Sequence, residues 1–153
     1  MRMAKYDNYG VFGNPVQHSL SPLIHHQFAN QFNIQMLYQK YLIPVDQFDH
    51  AVGQFQSHQG LGLNITLPFK QQAFELVDQH DNYAAAARAV NTICFQNDGQ
   101  LLGANTDGIG LVRDLTKSHQ LNLHQQTIAI LGAGGAVRGV IVPLLEQNPK
   151  QII

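Results

Sequence analysis

Lys70 follows the apolar pair Pro68-Phe69 in the segment Asn64-Ile-Thr-Leu-Pro-Phe-Lys70. A lysine shielded from water exchanges protons nearer neutrality. It can then serve as a general acid, or as a cation that steadies growing negative charge. Asp107, in Asn105-Thr-Asp-Gly-Ile-Gly110, is its candidate partner. A carboxylate beside an ammonium holds and orients it, and the two titrate as a unit. Each has a plainer reading, Lys70 as a solvated helix-start lysine and Asp107 as a helix N-cap. Asn64 and Thr66, two apart in an extended segment, point the same way. Ser19 and Ser21, in Gly13-Asn-Pro-Val-Gln-His-Ser-Leu-Ser-Pro22, offer hydroxyls to a carboxylate or a polyol, or cap a helix. Asn91, in Ala89-Val-Asn-Thr92, reads by itself as a turn residue.

A second chemistry is written into Gly132-Ala133-Gly134-Gly135-Ala136, which follows the apolar run Thr127–Leu131 and precedes a helical pattern. Such glycines let a backbone approach a pyrophosphate, whose charge sits well at a helix N-terminus. Val137 stands where the third glycine of the common G-x-G-x-x-G pattern would be. The plainer reading is a turn kept small for close helix–sheet packing. The residue that would choose between NAD and NADP comes ~20 residues further on, past Ile153.

These groups need elements to hold them. Strands are expected at Tyr9–Gly13, Leu37–Ile43, Leu61–Ile65, Val90–Phe95, Leu101–Ala104 and Thr127–Leu131, with another opening at Lys150. Asn97-Asp-Gly99 is a hairpin turn signal. Ser21-Pro22 reads as an N-cap with proline at the first helical position. Leu23, Ile24, Phe28, Phe32 and Ile34 stripe one face of that helix, which should end near Asn33. Further helices are expected around Phe48, Val52 and Phe55, over Gln71–Val77, from Asp81 through Ala87, over Asp107–Ser118, and after Gly135 until shortly before Asn148-Pro149. The alternation predicts an α/β fold with a mostly parallel sheet. By length alone the chain fits one compact domain.

Composition excludes other classes. Only 12% of the 153 residues are Asp, Glu, Lys or Arg, about half the usual ~25%. Polarity comes instead from 19 Gln and 11 Asn. With a net charge of −1, there is no basic surface for nucleic acid. No apolar run approaches the ~20 residues of a membrane span, and Met1–Tyr9 lacks the apolar core of a secretory signal. One cysteine, Cys94, excludes an internal disulfide framework and suits a reducing cytoplasm; it reads as a small core residue. The adjacent His25 and His26 diverge by about 100° on a helix, so no shared metal is expected. His18 lies in the serine motif and is placed to touch substrate, while the other histidines read as surface or structural.

Taken in order, Phe12–Pro22, Asn64–Lys70, Ala89–Thr92, Asn105–Gly110 and Gly132–Ala136 resemble the motifs of bacterial shikimate dehydrogenase of the AroE type, from about Tyr9 to the last residue. Pro68-Phe-Lys70 and Arg138 look more like that type than like its quinate/shikimate paralogue. The resemblance implies reversible reduction of 3-dehydroshikimate to shikimate by NADPH, in aromatic amino acid biosynthesis. It makes Lys70 and Asp107 the catalytic pair. Ser19 and Ser21 would hold the substrate carboxylate, and Asn64, Thr66, Asn91 and Asp107 would hold its hydroxyls. Gly132, Ala133, Gly134, Gly135 and Ala136 would cradle the NADP pyrophosphate. Val137 departs from the small polar residue of many relatives. The family's enzymes are longer, so the resemblance makes the chain an N-terminal portion: residues 1–106 would form the substrate-binding domain, and residues 107–153 a linking helix and the first strand–turn–helix of an incomplete, truncated Rossmann-type domain. Three alternatives stay open: a substrate-binding unit without turnover, the paralogue, and a stand-alone nucleotide module. The incomplete βαβ unit counts against the last. A homodimer is also an open expectation.

Overall fold

A computed structural model describes residues 6–153; the first five residues of the polar N-terminus and of the expected first domain lie outside the described range. Strands β1 (Asp7–Gly13), β2 (Met36–Leu42), β3 (Gly60–Ile65), β4 (Gln79–His80), β5 (Thr92–Phe95) and β6 (Leu101–Ala104) form one six-stranded sheet in the order β2-β1-β3-β5-β6-β4. β1 is parallel to both β2 and β3, and β4 is parallel to β6. The β5–β6 hairpin runs antiparallel, turning through Gly99, whose φ is 89°. The expected α/β fold with a mostly parallel sheet is therefore present.

Strand alternation divides the sheet into two unlike faces. Phe12, Leu63, Ile65 and Ile93 point to one face and meet Phe48, Val52 and Phe55 of helix α2 (Phe48–Ser57), with Phe69 and Ala73 around helix α3 (Lys70–Leu76). The predicted stripe on α2 is fully internal, and the Phe48 and Phe69 rings stack at 4.8 Å. Burying a phenylalanine contributes about 1.5–3 kcal/mol, so this face anchors the domain. On the other face, Val11, Val16 and Tyr38 form a small cluster next to helix α1 (Ser21–Gln31).

The stripe expected to bury α1 does not. His25 and Ala29, one turn apart, face the sheet, while Leu23, Ile24, Phe28 and Phe32 are exposed, as is Ile34 beyond the helix. Periodicity identifies an apolar face and not what it meets. Cys94 is likewise exposed and not a core residue, because β5 directs it, opposite to Ile93, onto the α1 side of the sheet.

Helices α4 (Asn82–Ala87) and α5 (Asp107–Arg113) pack on α6 (Gly135–Leu145). A side chain at Gly108 would collide with the Gly139 carbonyl and Pro143, so α5 and α6 touch backbone to backbone. The helix expected through Ser118 is α only to Arg113 and then widens into a π turn over Asp114–Ser118. The strand expected over Thr127–Leu131 is shorter, since β7 (Thr127–Ile128) pairs only with β8 (Gln151–Ile152). Leu131, past that pairing, is 99% exposed.

Candidate active site

The chain after β1 and the chain after β3 leave the sheet side by side and diverge to opposite faces, toward α1 and α3. Such a divergence at strand C-terminal ends is where open α/β sheets place ligands. A cleft of about 430 Å³ opens here, lined by Ser19, Ser21, Asn64, Thr66, Lys70, Asn91 and Asp107, together with His18 and His25. Residues from four separate stretches of sequence thus meet in one cavity.

Lys70 is placed by what precedes and follows it. Phe69 is buried at 1% exposure, and the Lys70 carbonyl accepts from the Val90 N–H at 2.8 Å. Its ammonium donates to Asp107 Oδ2 at 2.6 Å. Lys70 does begin α3, but its ammonium is tied to the Asp107 carboxylate and is not free in solvent. With 26% of its side chain exposed, it is not dry either.

Asp107 does not cap α5. The cap position belongs to Thr106, which makes no capping side-chain bond, and Asp107 is the first helical residue. Its carboxylate is spent on Lys70 and on Asn91, whose Nδ2 donates to Oδ1 at 2.7 Å. Its backbone N–H donates to Oδ1 of Asn105 at 3.2 Å, and buried Asn105 is itself tied to the Ala89 carbonyl at 2.9 Å. Asn91 is more than a turn residue: at 8% exposure, its Oδ1 accepts from the Thr106 N–H at 3.0 Å and from the Thr92 hydroxyl at 2.9 Å.

Ser21 is also displaced from its expected cap role. It is the first residue of α1, behind Leu20, and its hydroxyl accepts from Ser19 at 3.0 Å. Asn64 pairs across the sheet with Val11 and with Thr92, and so points away from the Leu63–Ile65 core side. Its Nδ2 donates to the Thr92 hydroxyl at 3.3 Å. Thr66 lines the same cleft, as its two-residue offset from Asn64 predicts.

Sequence reasoning missed His25 and Tyr38. His25 stacks flat on Tyr38, with ring centroids 4.3 Å apart and planes 8° apart. Burial holds its pKa below the ordinary histidine value, partly offset by hydrogen bonding to the Asn64 side chain. Its four-residue offset from Ser21 is the signal that could have found it, since both then share a helix face. Tyr38 donates to Asn64 Oδ1 at 2.6 Å, and no local pattern marks it.

The glycine turn is separate in character. Gly132 has φ +117°, a conformation closed to ordinary side chains. Outside the neighbouring residues, no heavy atom lies within 4 Å of where a Cβ on Gly132, Gly134 or Gly135 would stand. Packing therefore does not explain these glycines; it explains Gly108 and Gly139 instead. Open space at the start of α6 suits a pyrophosphate. Gln71, beside Lys70, accepts from Arg138 of α6 at 2.6 and 3.1 Å with its amide turned to satisfy both groups. Among the described residues no cluster of His, Cys, Asp and Glu could hold a metal, and no helix is long and apolar enough to cross a membrane.

Residues 11–93 match the sequence model of the shikimate dehydrogenase substrate binding domain. A shikimate dehydrogenase (NADP(+)) of Nitrosomonas eutropha is 48% identical over 94% of the chain and 52% of its own length. The crystal structure of an Ael1 enzyme from Pseudomonas putida superposes with a TM-score of 0.92 at 43% identity, over 95% of this chain and 54% of that one. A shikimate 5-dehydrogenase from Thermus thermophilus, solved with NADP(H) and shikimate, gives a TM-score of 0.86 at 32% identity, over 95% and 54%. The chain spans about half the length of the relatives it matches.

Proposed function

The chain belongs to the shikimate dehydrogenase family, and from that premise we propose that it forms the substrate-binding portion of an NADP-dependent oxidoreductase interconverting 3-dehydroshikimate and shikimate. The observation that carries this reading is the Lys70–Asp107 ion pair at 2.6 Å, set inside a cleft whose other walls are hydroxyls and amides. A carboxylated polyol suits such a lining. Ser19 and Ser21 would hold its carboxylate, and Asn64, Thr66, Asn91 and Asp107 its hydroxyls.

The chemistry a bound NADPH supplies is a hydride for the ketone carbon. Gly132, Ala133, Gly134, Gly135 and Ala136 would hold its pyrophosphate. Lys70 faces the negative charge that grows on the ketone oxygen, and a preformed cation there lowers the barrier without reorganisation. Asp107 keeps the ammonium aimed into the cleft, and Asn91 keeps Asp107 from turning away. The proton that neutralises the new alkoxide comes from the Lys70–Asp107 pair, acting as general acid in reduction and as base in oxidation. We place residues 1–106 on the substrate side of this site and residues 107–153 at the start of the cofactor side. A cytoplasmic setting suits the free cysteine.

The test mixes the chain with shikimate and NADP and follows NADPH absorbance, with thermal melting in parallel. Turnover establishes the enzyme. Stabilisation by shikimate without turnover supports a substrate-binding unit, a reading favoured by a cleft already lined with hydroxyls, amides and an ion pair in a chain spanning half its relatives. Neither response would sink the shikimate assignment.

A further inference from the structure

Asn64 presents a problem of orientation. A primary amide can turn end for end at little cost, exchanging an acceptor for two donors. It recognises a hydroxyl selectively only if something fixes which end faces the ligand.

We infer that Tyr38 is the positioning residue that fixes Asn64. Tyr38 is buried at 3% exposure and does not line the cleft itself. It lies on β2, separated from Asn64 on β3 by β1, yet its side chain rises on the same face as Val11 and Asn64. Its phenol donates to Asn64 Oδ1 at 2.6 Å. The Thr92 hydroxyl spends its proton on Asn91 and can only accept from Asn64, so the Asn64 oxygen is the end left for the phenol proton, and the two bonds together hold the amide in one orientation. The opposite end then donates to the Thr92 hydroxyl at 3.3 Å, Thr92 donates to Asn91 Oδ1 at 2.9 Å, and Asn91 donates to Asp107.

One Asn64 N–H remains for a ligand after these bonds are counted. Lys70 in turn donates to Asp107. The polar lining from Asn64 to Lys70 is therefore one connected series, and Tyr38 anchors its β3 end. His25, stacked on the Tyr38 ring, prevents the phenol from swinging out of line. Burial raises the Tyr38 pKa to about 12, only partly opposed by the Ser21 side chain, so the phenol keeps its proton near neutral pH.

The inference rests on the reading that this cleft takes shikimate, and the experiment separates the two. Tyr38→Phe keeps the ring, its volume and the His25 stack and removes only the hydroxyl. Tyr41→Phe is the control: its phenol bonds Gln39 at 3.1 Å in an exposed position, away from the cleft. Shikimate affinity by calorimetry, melting temperature and the Asn64 side-chain NH₂ signals in ¹H–¹⁵N spectra are measured for all three proteins. We expect Tyr38→Phe to weaken shikimate binding about tenfold, the scale of one lost hydrogen bond that leaves its partner unfixed. Its Asn64 NH₂ signals should broaden or shift toward those of a free amide, while Tyr41→Phe matches the parent. Unchanged affinity in Tyr38→Phe overturns the inference and leaves the proposed function standing. So does weakened binding with Asn64 signals like the parent's, because Tyr38 would then act through general stability. If the parent itself does not bind shikimate, the functional reading falls and this inference with it.

Discussion

In the cleft, Asp107 is held by Lys70 at 2.6 Å and by Asn91 at 2.7 Å, and Asn91 is held by Thr92 and Thr106. At the glycine turn, no heavy atom beyond the neighbouring residues comes within 4 Å of a Cβ built on Gly132, Gly134 or Gly135. One region is organised by side chains that satisfy one another before any ligand arrives. The other is organised by backbone shape and leaves open space at the start of a helix. Recognition of a small polyol needs donors and acceptors of fixed direction, whereas a pyrophosphate needs only room and a cluster of N–H groups. A substitution in the cleft should therefore disturb chemistry and stability together, and a substitution in the turn should disturb cofactor binding alone.

The largest test of this contrast is Lys70→Ala in the complete enzyme. The expected loss is ~10²–10⁴ in kcat, the range for lost acid–base or electrostatic help. Steady-state kinetics decide it, and a rise in KM with kcat intact would make Lys70 a binding residue only. Asn91→Ala should come next. It strips acceptors from the Thr106 N–H and a donor from Asp107 in a buried setting, at a cost of about 1–3 kcal/mol. Melting temperature and shikimate affinity should fall together.

Gly132→Ala tests the other side. A side chain at φ +117° is strained, by about 1–2 kcal/mol. Dinucleotide affinity should drop while shikimate affinity holds. Loss of both would show that the two regions are not independent, with Gln71 and Arg138 as the connecting contact. The smallest effect is expected of His25→Gln. The folded state holds the His25 pKa below 6.5, by burial first. Between that lowered value and 6.5 the unfolded chain binds more protons, so stability rises with pH and is lost as pH falls below 6.5. The variant should lose less melting temperature than the parent on acidification through that window, and an identical slope would remove His25 from the account.

Much of the fold could be read from local pattern. Phe48, Val52 and Phe55 at helical spacing are all internal, and Asn97-Asp-Gly99 turns a hairpin. Where a pattern named an apolar face without naming its partner, it misled: the α1 stripe is exposed, and Ala29 and His25 face the sheet. Among site residues, Ser21 and Asp107 looked like caps because Ser and Asp commonly serve there. Their side chains bond Ser19, Lys70 and Asn91 instead.

The sequence by itself determined the order of elements, the residues of the polar motifs and the glycine turn, because strand alternation, helical spacing and turn chemistry act over a few neighbours. Only the tertiary structure decided that Lys70 and Asp107 form a pair, that Asn91 is buried between strands, and that Tyr38 reaches Asn64 across β1. Those contacts depend on sheet order and on which face each strand presents. Both are settled when distant strands pair, and no local run of residues carries that information.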